Sequence, residues 1–273
     1  MPDSLTSTAI RARLGTRWLG HTLEVYPSID STQTRALALA RAGAPAGTVV
    51  LAEYQSQGRG RLDRRWHAPP GSSLLLSLIL RPALAPAQAQ RATMICSLAA
   101  VRAMAQVAGL AAQIKWPNDL LVHGKKVGGM LTELGARGTA LDYVIVGLGL
   151  NVNLDVRELP ETLTPATSLA AEAGRPIPRL ELLVAFLEHL EAYADRLAAG
   201  WSPRAEWRGA LATLGQMVRV GTTEGVLEGL AEDVDEDGAL LVRAADGRLH
   251  VILAGDVTLR GTPPRPGAIL DEN

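Results

Sequence analysis

The pattern of the chain changes after about Leu214, and that change constrains the fold more than any other feature. Met217–Val220, Glu224–Leu230, Ala239–Arg243, Arg248–Leu253 and Val257–Arg260 are short apolar or β-branched runs, with Asp237-Gly238 and Asp246-Gly247 between some of them. Such runs read as strands, and Asp-Gly closes a tight hairpin because glycine accepts a positive φ. About 45 residues of closely spaced strands therefore predict a small β-barrel appended to a larger domain.

Upstream of Leu214 helices and strands mix. The spacing predicts a helix over 33–43, begun by the capping residues Ser31 and Thr32 and stopped at Gly43. Strands are expected at Thr48–Glu53, Ser72–Leu80, Ala112–Trp116, Val127–Leu134 and Tyr143–Asn151, and a core helix at Gln88–Val107. Pro117 pushes Trp116 towards extended backbone. Leu180, Leu183, Val184, Leu187, Leu190, Ala194 and Leu197 form one apolar helical face. The order lacks βαβ regularity, which predicts an α+β fold with flanking helices.

Composition excludes several classes. A net charge of −1 over 273 residues leaves no general field for polyanions, so any anion recognition is local. The longest apolar run, Leu74–Leu80, is far too short to span a bilayer, and Met1-Pro2-Asp3-Ser4 has no signal-peptide character. The one cysteine, Cys96, lies in an apolar stretch and reads as a buried, inert thiol in a reducing cytoplasm.

Against this background two polar centres stand out. The chain has 27 basic residues, of which only three are lysines, and Lys115, Lys125 and Lys126 all fall between 115 and 126. An arginine-biased chain that keeps lysine there points to a need for a compact ammonium, which a wide guanidinium does not replace. Asn118, Asn151 and Asn153 are three of only four asparagines. Arginines cluster instead in Gly58-Arg59-Gly60-Arg61-Leu62-Asp63-Arg64-Arg65-Trp66. Glycines that let backbone approach a ligand, beside guanidinium forks, suit a phosphate or carboxylate. A solvated loop and an RG-type nucleic-acid contact remain open for that segment taken alone. Gly147-Leu148-Gly149-Leu150-Asn151 follows an apolar strand; its glycines relieve a bulge or admit a flat ring, and Asn151 has the paired donor and acceptor that read an adenine edge.

Asp30-Ser31-Thr32, Gly58–Trp66, Lys115-Trp116-Pro117-Asn118-Asp119, Lys126-Val127-Gly128-Gly129-Met130-Leu131 and Gly147–Asn151 together resemble the catalytic domain of biotin–protein ligases. The order and spacing agree over roughly residues 25–210. The resemblance implies a class II aminoacyl-tRNA synthetase-like catalytic domain at 25–212 and an SH3-like β domain at 213–261. Residues 1–24 become an N-terminal extension too short for a winged DNA-binding domain, and 262–273 a loose tail. The implied reaction joins biotin and ATP, with Mg²⁺, into biotinyl-5′-AMP, then passes biotin to a lysine of a biotin carboxyl carrier protein. Lys115 and Arg61 become the catalytic cations. Biotin would meet Ser31, Thr32, Gln33, Gln55, Gly58, Arg59, Gly60, Arg61 and Lys115. The adenylate would meet Arg59, Arg61, Trp66, Lys115, Asn118, Lys126, Gly147, Gly149 and Asn151. No metal ligand is assigned, and neither a membrane nor DNA is an expected partner.

The chain departs from the family pattern at three places: Asp63 stands where glycine is common, Gln33 where asparagine is usual, and residues 152–175 hold no tryptophan to cap an adenine. The competing readings are a lipoate–protein ligase, a nucleic-acid-binding protein and a non-catalytic biotin-binding module. The last leaves Lys115 unexplained.

Overall fold

A computed structural model describes residues 5–62, 64–158, 165–222, 225–253 and 255–259. Asp63 and the 262–273 tail lie outside them. The first elements are helix α1 (Ser7–Arg13), strand β1 (Leu23–Tyr26), helix α2 (Thr32–Arg41) and strands β2 (Val49–Ala52) and β3 (Ser73–Leu80). Helix α3 (Gln90–Ala103) runs into a π-turn, Met104–Ala108, that ends at the left-handed Gly109. Strands β4 (Ala112–Lys115), β5 (Asp119–Val122), β6 (Lys125–Arg137) and β7 (Ala140–Asn151) follow, then helices α4 (Leu169–Ala173), α5 (Arg179–Ala198) and α6 (Arg204–Ala210). The seven strands form one sheet in the order β1-β2-β3-β7-β6-β5-β4. Only the β1–β2 pair is parallel.

Period-two alternation sorts the side chains between the two faces. Val49, Leu51, Leu74, Leu76, Leu78, Val144, Val146 and Leu148 join the main core with α3 and α5. Val50, Ile79, Tyr143 and Ile145 point the other way and pack under Ala36 and Ala40 of α2. With helices on both faces, β3 is buried at every residue, which is why Leu74–Leu80 reads as a near-continuous apolar run rather than an alternating one.

Beyond the N-terminus of α2 the alternation continues with small residues. Ser77, Gly147, Gly149 and Gly129 take the positions that Ile79 and Ile145 fill further along, and the sheet face becomes a hollow. Ser31 caps α2, its hydroxyl accepting from the Thr34 N–H at 3.4 Å, so Thr32 and Gln33 open the helix over that hollow.

The C-terminal strands are β8 (Met217–Thr222), β9 (Gly225–Val234), β10 (Leu240–Ala244), β11 (Leu249–Ile252) and β12 (Asp256–Leu259). They form an antiparallel sheet in the order β11-β10-β9-β8-β12. The Asp-Gly turns stand where expected, with positive φ at Gly238 and Gly247. Trp116, 2 % exposed, holds this sheet to the larger domain. Its indole donates to the Gly238 carbonyl at 2.9 Å and its backbone N–H to Thr213 Oγ1 at 2.9 Å. Arg91 adds an ion pair to Asp237 at 2.8 Å.

At the other end, residues 5–22 dock on α5. The Glu191 carboxylate accepts backbone N–H bonds from Arg17, Trp18 and Leu19 at 2.8–3.0 Å. Burial works to raise this carboxyl, but the three backbone donors and Arg17 outweigh it and hold it below the usual carboxylate range. Cys96 is buried, and burial pushes its thiol up. No described helix is long and apolar enough to cross a membrane.

Candidate functional site

The hollow is a cavity of about 510 Å³. It brings together Ser31, Thr32, Gln33, Gln55, Arg59, Gly60, Arg61, Trp66, Lys115, Asn118, Lys126, Gly147, Gly149 and Asn151, segments up to about 120 residues apart in sequence. Strand β7 runs along its floor. From Gly147 to Asn151 the strand advances about 13 Å at ~3.3 Å per residue.

One end is a buried polar network. Thr32 donates twice to Gln55 Oε1, from its backbone N–H at 2.7 Å and its hydroxyl at 3.0 Å. The Thr32 and Ser77 hydroxyls lie 2.9 Å apart, and Ser77 Oγ donates to Gln33 Oε1 at 3.0 Å. A Cβ on Gly147 would lie 2.6 Å from Gln33 Oε1, so glycine there leaves room for the network. Because Gln33 is held by Ser77, its amide is a supporting group beneath Thr32 as well as a wall residue. Ser77 had no motif to announce it; only its polarity within Leu74–Leu80 marked it.

The Gly/Arg loop crosses the middle. It folds back on itself through Trp66 N–H to Gly58 O at 2.9 Å and Gly60 N–H to Arg64 O at 2.7 Å. Gly58 is the one assigned residue that does not line the cavity. A Cβ there would stand 2.5 Å from the Trp66 carbonyl, so closure of the loop requires glycine at this position. The Trp66 ring lies against Gly149, where a Cβ would meet it at 2.5 Å. Arginine repulsion is relieved by partners. Arg59 forms a two-pronged pair with Glu133 at 3.1–3.2 Å, and Arg61 donates to Asn118 Oδ1 at 3.2 Å and to the Gly255 carbonyl at 3.0 Å. Through Gly255, and through Val257 in the cavity wall, the C-terminal sheet shares in the site.

Lys115 ends β4 and is 9 % exposed, its side chain in the cavity wall. Trp116, Pro117 (after a cis peptide) and Asn118 turn the chain back so that Asp119 pairs with Lys115 in the β4–β5 register. The Asp119 carboxylate meets Lys126 Nζ at 2.6 Å, a role not evident from the sequence. Asn118 is fixed by a side-chain bond from Nδ2 to the Met130 carbonyl, leaving its Oδ1 towards Arg61.

The far end is built around Asn151. Its Nδ2 donates to the Thr167 carbonyl at 3.0 Å, while its buried Oδ1 has no hydrogen-bond partner. A strap, 165–167, closes this end. Lys126 N–H donates to the Pro165 carbonyl at 2.7 Å and Thr167 N–H to the Lys126 carbonyl at 2.8 Å, and Pro165 and Ala166 line the cavity. No sequence pattern identified this strap; it acquires its place only when it pairs with β6. Near it, burial works to raise the Glu172 carboxyl, but Thr167, His123 and Lys125 together hold it down to about 2. Among the described residues no cluster of three His, Cys, Asp or Glu side chains could cage a metal.

A mixed seven-stranded sheet under helices thus carries a cavity that joins a neutral polar end to a cationic centre, the layout of a site for a polar acid beside a phosphate. Residues 25–151 match the biotin/lipoate A/B protein ligase family, and residues 213–260 match the biotin protein ligase C-terminal domain. The bifunctional ligase/repressor BirA of Bacillus subtilis is 36% identical over 94% of this chain and 80% of its own length. A biotin–[acetyl-CoA-carboxylase] ligase of Paracoccus denitrificans is 36% identical over 85% of this chain and 98% of its own. The Aquifex aeolicus biotin protein ligase, solved with biotin and ATP, superposes with a TM-score of 0.74 at 29% identity, covering 88% of this chain and 99% of that one. The chain belongs to the biotin protein ligase family.

Proposed function

We propose that the protein is an ATP-dependent biotin–protein ligase that forms biotinyl-5′-AMP and then transfers biotin to a lysine of a biotin carboxyl carrier protein. The observation that carries this reading is the order of groups along one cavity. Neutral donors and acceptors lie at the Thr32–Gln55–Ser77 end, cations at Lys115 and Arg61, and a buried amide oxygen without a partner at Asn151.

A ureido ring presents N–H donors and a carbonyl, and a small network such as Thr32 and Gln55 answers both. An acid lacking that group leaves buried partners unpaired, which is a strong basis for discrimination. In the first step a biotin carboxylate oxygen attacks the α-phosphorus of ATP; the new C–O–P bond forms as the bond to pyrophosphate breaks. Both reactants are anionic, so the barrier contains like-charge repulsion that Lys115 and Arg61 offset. In the second step the neutral ε-amine of the carrier lysine attacks the acyl carbon. The amide C–N bond forms, the C–O bond breaks, AMP leaves, and the amine loses a proton.

Trp66, pressed on Gly149, separates the two halves of the ligand, and Lys126 extends the positive charge towards the phosphates. The free Asn151 oxygen suits the exocyclic amine of an adenine, with Pro165 and Ala166 as the wall in place of an aromatic cap. Mg²⁺ would enter on the triphosphate, where it would add charge neutralisation. We place the enzyme in the cytoplasm and assign no DNA-binding role to residues 5–24.

Incubation with biotin, ATP, Mg²⁺ and a biotin carboxyl carrier domain should add one biotinyl group to one carrier lysine, as read by intact-mass and peptide mass spectrometry. An unmodified carrier, while adenylate accumulates, would refute the transfer step.

A further inference from the structure

Lys115 and Lys126 are taken up by the site, but Lys125 faces away at the turn between β5 and β6 and the reaction makes no use of it. Its ammonium lies 3.0 Å from Glu172 Oε1 on α4. The other oxygen of Glu172 is 2.8 Å from His123 Nδ1, and Thr167 Oγ1 donates to Oε1 at 2.6 Å. The side chain of Glu172 is only 9 % exposed, although Lys125 and His123 on its outer side are open to solvent. One carboxylate thus ties the β5–β6 turn to Thr167, the last residue of the strap that walls the cavity.

Among the described residues the strap is held from two sides. Backbone bonds to Lys126 and the Asn151–Thr167 bond hold it from the cavity side, and the Glu172 cluster holds it from behind. The same Thr167 therefore presents its carbonyl to Asn151 and its hydroxyl to Glu172. Any slackening at Glu172 reaches Asn151, whose free Oδ1 faces the same end of the site. The polar network around Thr32 and Gln55 lies at the other end of the cavity, against Gly147, and among the described residues shares no hydrogen bond with this cluster.

We propose that Glu172, latched by Lys125, His123 and Thr167, is a positioning residue for the nucleotide half of the cavity, setting the affinity for ATP and leaving that for biotin unchanged. This rests on reading the Asn151 end as the nucleotide end. It also gives Lys125 a purpose in a chain that otherwise uses arginine: a slim ammonium shares the carboxylate with an imidazole and a hydroxyl in little space.

The test is biotin-dependent pyrophosphate–ATP exchange with wild-type protein and the Glu172→Ala, Glu172→Gln and Lys125→Met variants. Loss of a charge-assisted contact should raise KM for ATP about fivefold or more in Glu172→Ala, and less in Glu172→Gln, which keeps a partner for the Thr167 hydroxyl. KM for biotin should stay within about twofold, and saturating ATP should restore kcat. Equal rises in both KM values would overturn the proposal, because they report general loosening, and unchanged KM for ATP would overturn it directly. If Glu172→Ala does not fold, Lys125→Met, a substitution at an exposed site, carries the same comparison. Absence of exchange by the wild-type protein would strike the ligase reading itself, and is told apart by that control.

Discussion

Replacing Gly149 with alanine tests how the loop and the sheet register the reacting groups. The added Cβ would lie 2.5, 2.8 and 2.9 Å from three carbons of the Trp66 indole. Carbon atoms rest about 3.5–4.0 Å apart, so one side must yield by about 1 Å. Strand β7 resists, because Gly149 is paired with Leu75 on one side and Gly129 on the other. The displacement therefore falls on Trp66, and its N–H bond to Gly58 passes it to the loop that carries Arg59 and Arg61. A misplacement of this size near reacting groups costs about a hundredfold in rate. Biotin-dependent pyrophosphate exchange in Gly149→Ala should fall by about ten- to a hundredfold while the far-ultraviolet circular dichroism is kept. The double variant Gly149→Ala/Trp66→Leu, with a smaller side chain over the new methyl, should recover part of the loss. Wild-type exchange in Gly149→Ala would refute the reasoning, since the ring would then be free to move without consequence.

Three further outcomes follow from the same structure. Lys115→Arg should fold normally but lose about tenfold or more in adenylation, because a guanidinium does not fit where a buried ammonium stands; undiminished exchange would contradict this. Trp116→Phe removes the donor to the Gly238 carbonyl and should destabilise the protein by about 1–3 kcal/mol in urea unfolding, with the C-terminal sheet loosening first in hydrogen exchange. The folded-state pKa of Glu191 is lowered, so its stabilisation is present above the ordinary value of 4.5 and is lost as pH falls through the depressed one; Glu191→Gln should flatten that acid limb of the stability profile.

The sequence disclosed whatever has a local cause. Ser31 and Thr32 before an alanine-rich run marked the start of α2, and Asp-Gly pairs marked the C-terminal hairpins. The apolar run at Leu74–Leu80 marked a strand. Strand β1, Leu23–Tyr26, is half-buried throughout and lacks the apolar run that marks the equally short β2, and β5, Asp119–Val122, follows the Trp116–Asn118 turn with no pattern of its own. The site was legible where residue type was unusual: scarce lysines, clustered arginines, and glycines on an apolar strand. It was illegible where a residue acquires its part by long-range pairing. Ser77 meets Gln33 across 44 positions, Glu133 meets Arg59 across 74, and the strap becomes a wall only by pairing with Lys126. The glycines of the loop carried an ambiguous signal, since glycine serves close ligand approach and tight closure alike; the packing of Gly58 against Trp66 shows closure at that position.

The most direct test of the central claim is exchange of labelled pyrophosphate into ATP by the wild-type protein with Mg²⁺, comparing biotin with lipoate as the acid. Exchange with biotin and none with lipoate is the result expected of a cavity whose acid end is the Thr32–Gln55–Ser77 network. Exchange with lipoate alone would show that the network does not read a ureido ring, and exchange with neither acid from folded protein would contradict adenylation at this site.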